Sequence, residues 1–191
     1  MMLLLAKKPL IVLLALTALL AGQVHASCNS GIQLTKPNSV YIDNHDGTVT
    51  DNETGLIWAK CSLGQSWTEN IPNDGSDDLC SGEAATYTWR SALEAAQSAN
   101  RNSYLGQSDW RVPNKNELES LVESACYDPA INSSRFPAKP SVLYWPGAPY
   151  WTSSPAYADH LMAWFVDFKE GFVSILHKNN SYFLRVVRDD Y

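Results

Sequence analysis

Residues 43–58, DNHDGTVTDNETGLIW, form the stretch that decides how this chain folds. Its Asp46-Gly47 pair is a strong signal for a hairpin turn, and the β-branched run of residues 48–50 follows it. A second turn signal, Thr54-Gly55, precedes the apolar run of residues 56–58. The stretch therefore predicts a β-hairpin that continues into a third strand.

Two helices are predicted in the middle of the chain. The first begins at Thr88, because the apolar residues that follow it recur at helical spacing. The second follows Asn114, which together with Glu117 three residues later has the pattern of a capping box. The predicted apolar faces are Trp89, Ala92, Leu93 and Ala96 in the first helix, and Leu118, Leu121, Val122 and Ala125 in the second.

The last third of the chain shows the alternation that is typical of β-strands. A long segment rich in Pro, Ser and Asn, residues 127–149, precedes it and predicts a loop. The fold class is therefore α+β, with two helices amid antiparallel strands and unusually long loops. The strands predicted here are residues 150–153, 162–168, 172–176 and 182–188.

Residues 1–26 have the layout of a cleavable signal peptide. A positive segment at Lys7-Lys8 precedes an apolar run over residues 10–21, and Ala26 is the small residue before the expected cut. The run is shorter than the roughly 20 residues that span a bilayer, which disfavours an uncleaved anchor. We therefore expect an exported protein in which residues 27–191 form a single domain.

The charge balance narrows the partners that this protein can have. Removal of the leader takes away two lysines and no acids, so the formal net charge falls from −6 to −8. This argues against nucleic acid or an anionic membrane as the main partner, and no later segment is apolar enough to span a membrane. We expect a periplasmic or extracellular location. Lipid anchoring through Cys28 is disfavoured, because His25 stands where lipoprotein signals carry an aliphatic residue.

The four cysteines, all beyond the leader, predict two disulfides in an exported domain. Three connectivities exist. We favour Cys61–Cys80, because a local bridge would shorten a loop that has few apolar residues to hold it, and Cys28–Cys126 then follows by elimination. A zinc site is the alternative, but the chain has no CxxC or HxxxH spacing to support it.

The hairpin stretch and several later motifs resemble the Lcl C-terminal domain family, named after the C-terminal domain of a bacterial collagen-like adhesin. The resemblance follows the order of the motifs along almost all of residues 27–191. Besides residues 43–58, the motifs that carry it are SDWRVPN at 108–114, YWTSS at 150–154 and RVVR at 185–188.

The resemblance implies a fold similar to the C-type-lectin-like and sulfatase-modifying-factor group, with a small twisted sheet, two helices and long loops. It also implies an adhesin-like role, since the best-described member binds sulfated glycans. This chain departs from the family pattern in two ways. Many members have a cysteine near the position of Ala96-Gln97 and another near that of Val186-Val187, and this chain has neither. Its net charge is also acidic, which weakens any transfer of sulfated-glycan binding to this protein.

No sequence motif assigns catalytic residues. The chain lacks a Gly-x-Ser-x-Gly elbow, a phosphate loop and a dinucleotide fingerprint, so we expect a protein that is not an enzyme. Asp43, Asp46 and Asp51 invite a calcium hypothesis, but in the EF-hand register Ile42 falls where an acid is required. We expect these acids to shape the hairpin turn and expect no cofactor, with a looser calcium loop as the alternative.

Aromatic residues on and after the Pro-rich loop are the candidate ligand-binding residues: Tyr144, Trp145, Tyr150 and Trp151. Such rings can form a stacking platform for a sugar or a peptide. The alternative is that they cover the core beneath the loop. The function expected is that of an exported, non-enzymatic recognition module that binds an external glycan or protein surface. The second hypothesis is a structural or accessory envelope protein with no small ligand.

Overall fold

The computed structural model describes residues 26–69, 78–137 and 148–190. The signal peptide expected over residues 1–26 lies almost entirely outside the described residues. The fold is α+β, as predicted, with two helices and several small antiparallel sheets. The elements in chain order are β1 (Ser27–Cys28), β2 (Tyr41–Asp43), β3 (Thr48–Asp51), β4 (Leu56–Ala59), β5 (Ser66–Thr68), β6 (Leu79–Ser81), α1 (Trp89–Arg101), α2 (Lys115–Glu119), β7 (Cys126–Tyr127), β8 (Pro149–Pro155), β9 (Met162–Asp167), β10 (Phe172–His177) and β11 (Val187–Asp189).

The predicted hairpin is the β2–β3 pair, and it continues into β4 as expected. These strands and β11 form a four-stranded antiparallel sheet in the order β11-β4-β3-β2. Gly47 closes the hairpin with a φ of +87°, a conformation that glycine adopts without strain. A Cβ at this position would lie 2.8 Å from Leu105 Cδ2 and 3.1 Å from Trp67, so the turn is also closely packed.

The predicted strands of the last third form the second sheet, in the antiparallel order β8-β9-β10. The exception is the run of residues 182–188, which is a ladder strand only at Val187–Asp189. Upstream of β11, Tyr182 makes an isolated antiparallel bridge with Tyr87, and Phe183 makes a parallel bridge with Tyr150. The two remaining sheets of the described residues are the short pairs β5–β6 and β1–β7, for which the sequence has no local signal.

Helix α1 begins where the sequence predicts, with the Thr88 hydroxyl accepting from the Ser91 amide at 3.3 Å. The predicted capping box of α2 is also present, but the helix ends at Glu119 rather than running on to Ala125. The chain turns there because Val122 pairs with Ile131. The pairing replaces further helical hydrogen bonds, so local periodicity overestimated the length of α2.

Both favoured disulfides are present. Cys61–Cys80 closes the loop that contains β5 and β6, and Cys28–Cys126 joins β1 to β7. All four cysteines are thus used in bridges, which leaves no thiolate for a zinc site.

The buried apolar residues form two clusters. The first lies between the four-stranded sheet, α2 and part of β9, and the second lies between α1 and the β8–β9 hairpin. The first cluster includes the fully buried Trp58, Leu118, Leu121, Phe136 and Val166, and the second includes Trp110, Trp151, Phe165 and Leu184. Among the described residues, no helix has the length and apolar character needed to cross a membrane.

Candidate functional site

Two of the four aromatic residues predicted to bind a ligand are core residues. Tyr150 is 4 % exposed and Trp151 is fully buried. The Tyr150 hydroxyl lies 2.6 Å from the Ser62 hydroxyl, and the Trp151 Nε1 donates to the Tyr87 carbonyl at 2.8 Å. Neither ring presents a face to solvent, so these two residues do not form an exposed stacking platform. Tyr144 and Trp145 lie outside the described residues.

The acids considered for calcium are bonded within their own turns. Asp43 accepts from the His45 amide at 2.9 Å, and Asp46 accepts from the Thr48 amide at 2.9 Å. Asp51 accepts from the Glu53 amide at 2.8 Å. These carboxylates therefore shape the backbone turns. Over the described ranges, no group of three or more His, Cys, Asp or Glu side chains could hold a metal ion.

A buried ionic network lies beside the hairpin. Lys60, with a fully buried side chain, donates to both Asp43 and Asp78, and Arg135 donates to Asp43 at 3.2 Å. Burial alone would raise the pKa of Asp43, but the hydrogen bonds from Lys60 and from the His45 amide outweigh it and hold the pKa below its ordinary 3.8. The two cations and two carboxylates pair with one another, which is the arrangement of a structural ion cluster, while Asp78 Oδ1 and Arg135 Nε have no hydrogen-bond partner among the described residues.

Arg185, from the RVVR motif, is also a structural residue. It is buried, and its Nη1 donates to the carbonyls of Ala59 at 2.7 Å and of Lys60. Its guanidinium lies over the rings of Phe136, at 4.9 Å, and Tyr150, at 5.7 Å. Burial lowers the pKa of Arg185. The side chain joins the end of β4 to the C-terminal segment, and at 3 % exposure it offers almost no surface to a ligand.

Among the described residues two clefts are candidates, and in the larger of the two the Glu123 carboxylate and the Asn132 amide are already bonded. This tether cleft, beside the Cys28–Cys126 bridge, has a volume of about 360 Å³. The Glu123 carboxylate in it accepts from the amides of Thr35 and Lys36 at 2.9 and 2.7 Å. Burial would raise the pKa of Glu123, but these and other backbone hydrogen bonds hold it below its ordinary 4.5. The cleft residues are Ala26, Cys28, Leu34, Lys36, Pro37, Asn38, Glu123, Cys126, Ile131, Asn132, Ser133 and Ser134.

The second cleft, which we call the Tyr182 cleft, has a volume of about 290 Å³ and a fixed aromatic floor. The backbone of Tyr182 exchanges two hydrogen bonds with Tyr87, at 2.8 and 2.9 Å. Its half-buried ring meets Trp151 edge-on at 5.0 Å and stacks on Phe165 at 6.1 Å. The residues that line the cleft are Thr86, Pro149, Asn180, Ser181, Tyr182 and Phe183.

The rim of the Tyr182 cleft carries polar groups that are available to a ligand. Thr86, Asn180 and Ser181 are exposed, and within the part of the chain that the structure describes their side chains make no hydrogen bond. Two hydroxyls and one primary amide thus surround a rigid apolar floor. This is the usual composition of a small-molecule site, in which a few polar groups fix the orientation of the ligand.

Sequence reasoning missed this cleft because its lining comes from three distant segments, around residues 86, 149 and 180–183. The polar turn at Asn179-Asn180-Ser181 directly before Tyr182 was the one local signal. That pattern is common in ordinary turns, so it could not select the site alone.

The comparison with protein families agrees with the motifs noted in the sequence. The model of the Lcl C-terminal domain matches residues 47–188, a range that begins at the hairpin glycine and contains every residue of the Tyr182 cleft. No curated protein matches the chain at a significant level. Because the family model matches well over half of the sequence, this chain belongs to the Lcl C-terminal domain family.

Proposed function

We propose that this protein is an exported, non-enzymatic recognition module that binds an external glycan or protein surface through the Tyr182 cleft. The observation that carries the proposal is the contrast between the two clefts. Around Tyr182, the side chains of Thr86, Asn180 and Ser181 have no hydrogen-bond partner among the described residues, whereas Glu123 in the tether cleft is already bonded by the backbone.

Several further observations support the proposal. The two disulfides suit an oxidising compartment outside the cytoplasm, and family membership agrees with an adhesin-like or lectin-like role on a C-type-lectin-like fold. The buried ionic groups Lys60, Asp43 and Asp78 are bonded to one another, so they have the features of a structural cluster rather than those of an acid–base pair. Sequencing of the N-terminus of the envelope-fraction protein tests export, which predicts a start at Ser27.

The proposal is tested by screening the purified protein against a glycan array and a panel of envelope and host surface proteins. The screen is run with and without calcium, because calcium binding near the hairpin is the alternative to a metal-free protein. Asn180→Ala should reduce binding, since it removes a rim amide. Asn179→Ala is the matched control, because Asn179 is an exposed neighbour that does not line the cleft. Equal loss in both variants, or in neither, would contradict the assignment.

The alternative function is a structural or accessory envelope protein without a small ligand. The burial of Tyr150 and Trp151 favours it, since it removes two of the rings expected to contact a ligand. Trp145→Ala tests the remaining loop aromatic. If that loop contributes to binding, the substitution should weaken it by about 1–3 kcal/mol, the range for a hot-spot aromatic, without changing the melting temperature. A variant that melts early and shows no separate binding defect would favour the accessory function.

A further inference from the structure

We infer that the ligand of the Tyr182 cleft is an uncharged saccharide unit, one or two rings in size. The inference rests on the proposed function, and it specifies the chemical class of the ligand. It depends on four features: the absence of charge in the lining, the kinds of polar group on the rim, the bonded state of the backbone, and the volume.

Among the described residues, none that lines the cleft has a charged side chain at neutral pH. A sulfate, carboxylate or ammonium group that entered would lose hydration without meeting an opposite charge, which is costly. Lys178 is only two residues from Asn180, but its ammonium lies over the Trp89 ring at 4.4 Å and donates to the His160 carbonyl at 2.7 Å. The acidic formal net charge, −6 for the full sequence and −8 once the expected leader is removed, adds a general repulsion of anions. The cleft therefore selects against charged ligands.

The rim groups match the hydroxyls of a sugar. Thr86 and Ser181 supply hydroxyls and Asn180 supplies an amide, and each of these groups can both donate and accept a hydrogen bond. A saccharide hydroxyl has the same double capacity, so each contact can form in either direction. The half-buried Tyr182 supplies apolar surface for the C–H face of a sugar ring.

A peptide that adds as a β-strand does not fit this cleft. Strand addition needs backbone groups that are unpaired at a sheet edge. Here both backbone groups of Tyr182 are bonded to Tyr87. The Phe183 amide donates to the Pro149 carbonyl, and its carbonyl accepts from the Trp151 amide. The backbone of Tyr182 and Phe183 is therefore not available for strand addition, and recognition at this floor uses side chains, as it does for a sugar.

The volume limits the size of the bound unit. At about 290 Å³ the cleft lies just below the usual range for ligand pockets, roughly 300–1,000 Å³. It fits one or two sugar rings rather than a long segment of a polymer. Since the floor is already held by the Tyr87 bridge, little ordering of the protein should accompany binding.

The experiment uses saturation-transfer NMR and titration of the purified protein. The probes are methyl glycosides of glucose, galactose, mannose and N-acetylglucosamine with their disaccharides, a sulfated disaccharide, and short uncharged peptides. Thr86→Val and Asn180→Ala should each weaken binding of the uncharged sugars by about three- to tenfold, the usual effect of one hydrogen bond. Asn179→Ala should leave binding unchanged. Affinity should also change by less than about twofold between low and high salt, because no charges are paired.

The failures of the two proposals are distinguishable. Binding only of the sulfated probe, with strong salt dependence, or binding only of a peptide would overturn the saccharide inference while leaving a recognition function in place. Sugar binding with the same affinity in Thr86→Val and Asn180→Ala as in the parent protein would overturn the assignment of the cleft. The absence of binding to every probe and to every array spot would refute the recognition function together with the inference.

Discussion

Substitution of Lys60 by methionine tests the claim that the buried ionic network stabilises the fold. Methionine keeps the length and most of the volume of lysine, so the main change is the loss of charge. Asp78 has a side chain only 1 % exposed, and Lys60 is its ion-pair partner among the described residues. Asp43 keeps Arg135 at 3.2 Å. Lys60→Met therefore leaves one carboxylate buried without a counter-ion and a second only partly compensated.

The number of unpaired carboxylates sets the expected loss in the free energy of unfolding. Removal of one partner from a buried ion pair costs about 3–5 kcal/mol, because the remaining charge stays desolvated. Since Arg135 continues to compensate Asp43, we expect the lower end, about 3 kcal/mol. Lys36→Met is the matched control, because Lys36 pairs with Glu53, whose side chain is 53 % exposed. Such a surface pair contributes about 0–1 kcal/mol.

The assay is urea unfolding with both disulfides intact, followed by tryptophan fluorescence and circular dichroism. Lys60→Met combined with Asp78→Asn should recover part of the loss, because the double variant no longer buries an unpaired charge at Asp78. The reasoning is refuted if Lys60→Met destabilises the protein no more than Lys36→Met does. It is also refuted if the double variant is less stable than Lys60→Met alone.

Three further perturbations test separate parts of the fold. Gly47→Val should lower the free energy of unfolding by about 1–3 kcal/mol through backbone strain, and by more through the clash with its neighbours. Gly55 is also at positive φ but has open space around it, so Gly55→Val should show the strain alone. Equal unfolding midpoints for the two variants would contradict the close packing of the hairpin turn. Serine at both Cys61 and Cys80 should lower the free energy of unfolding by about 2–5 kcal/mol, and a loss under about 1 kcal/mol would show that this bridge is dispensable. The folded-state pKa of Glu123 lies below its unfolded value, so the carboxylate stabilises the fold above about pH 4.5 and this effect is lost as the pH falls through the acid range. The free energy of unfolding of Glu123→Gln, measured at pH 7 and pH 3, should therefore depend less on pH than that of the parent protein.

Local signals predicted the parts of the fold that depend on neighbouring residues. The Asp46-Gly47 turn, the Thr88 cap and the Asn114 capping box each involve groups within a few residues of one another. Short stretches of sequence are therefore enough to predict these turns and caps. The same holds for the Cys61–Cys80 bridge, whose partners flank one poorly apolar loop.

Features that depend on distant partners could not be predicted in this way. Helix α2 stops early because Val122 pairs with Ile131 across a turn that no periodicity reveals. Tyr150 and Trp151 follow a Pro-rich loop and look like surface aromatics, but their partners are Ser62 and Tyr87, more than 60 residues away. Composition cannot tell a ring that covers the core from a ring that contacts a ligand.

The candidate site itself is defined by which polar groups the fold leaves without partners, and that is a property of the whole structure. Most cations of the described chain are already engaged. Lys60 and Arg185 are buried, while Arg111 is bonded to Glu117 at 2.7 Å and to Asp189 at 2.7 Å. Among the described residues the other ion pairs of lysine and arginine are Lys36–Glu53, Arg90–Glu94, Lys115–Glu119, Arg135–Asp43 and Arg188–Asp109.

This pairing bears directly on the ligand. A polyanion is held by clustered cations that can exchange their counter-ions for its charges, and cations that already have carboxylate partners would have to give them up first. The described residues that line the Tyr182 cleft offer instead the side chains of Thr86, Asn180 and Ser181, which are all uncharged. We therefore expect the protein to bind uncharged saccharides in preference to sulfated ones, because most of its described cations already have partners.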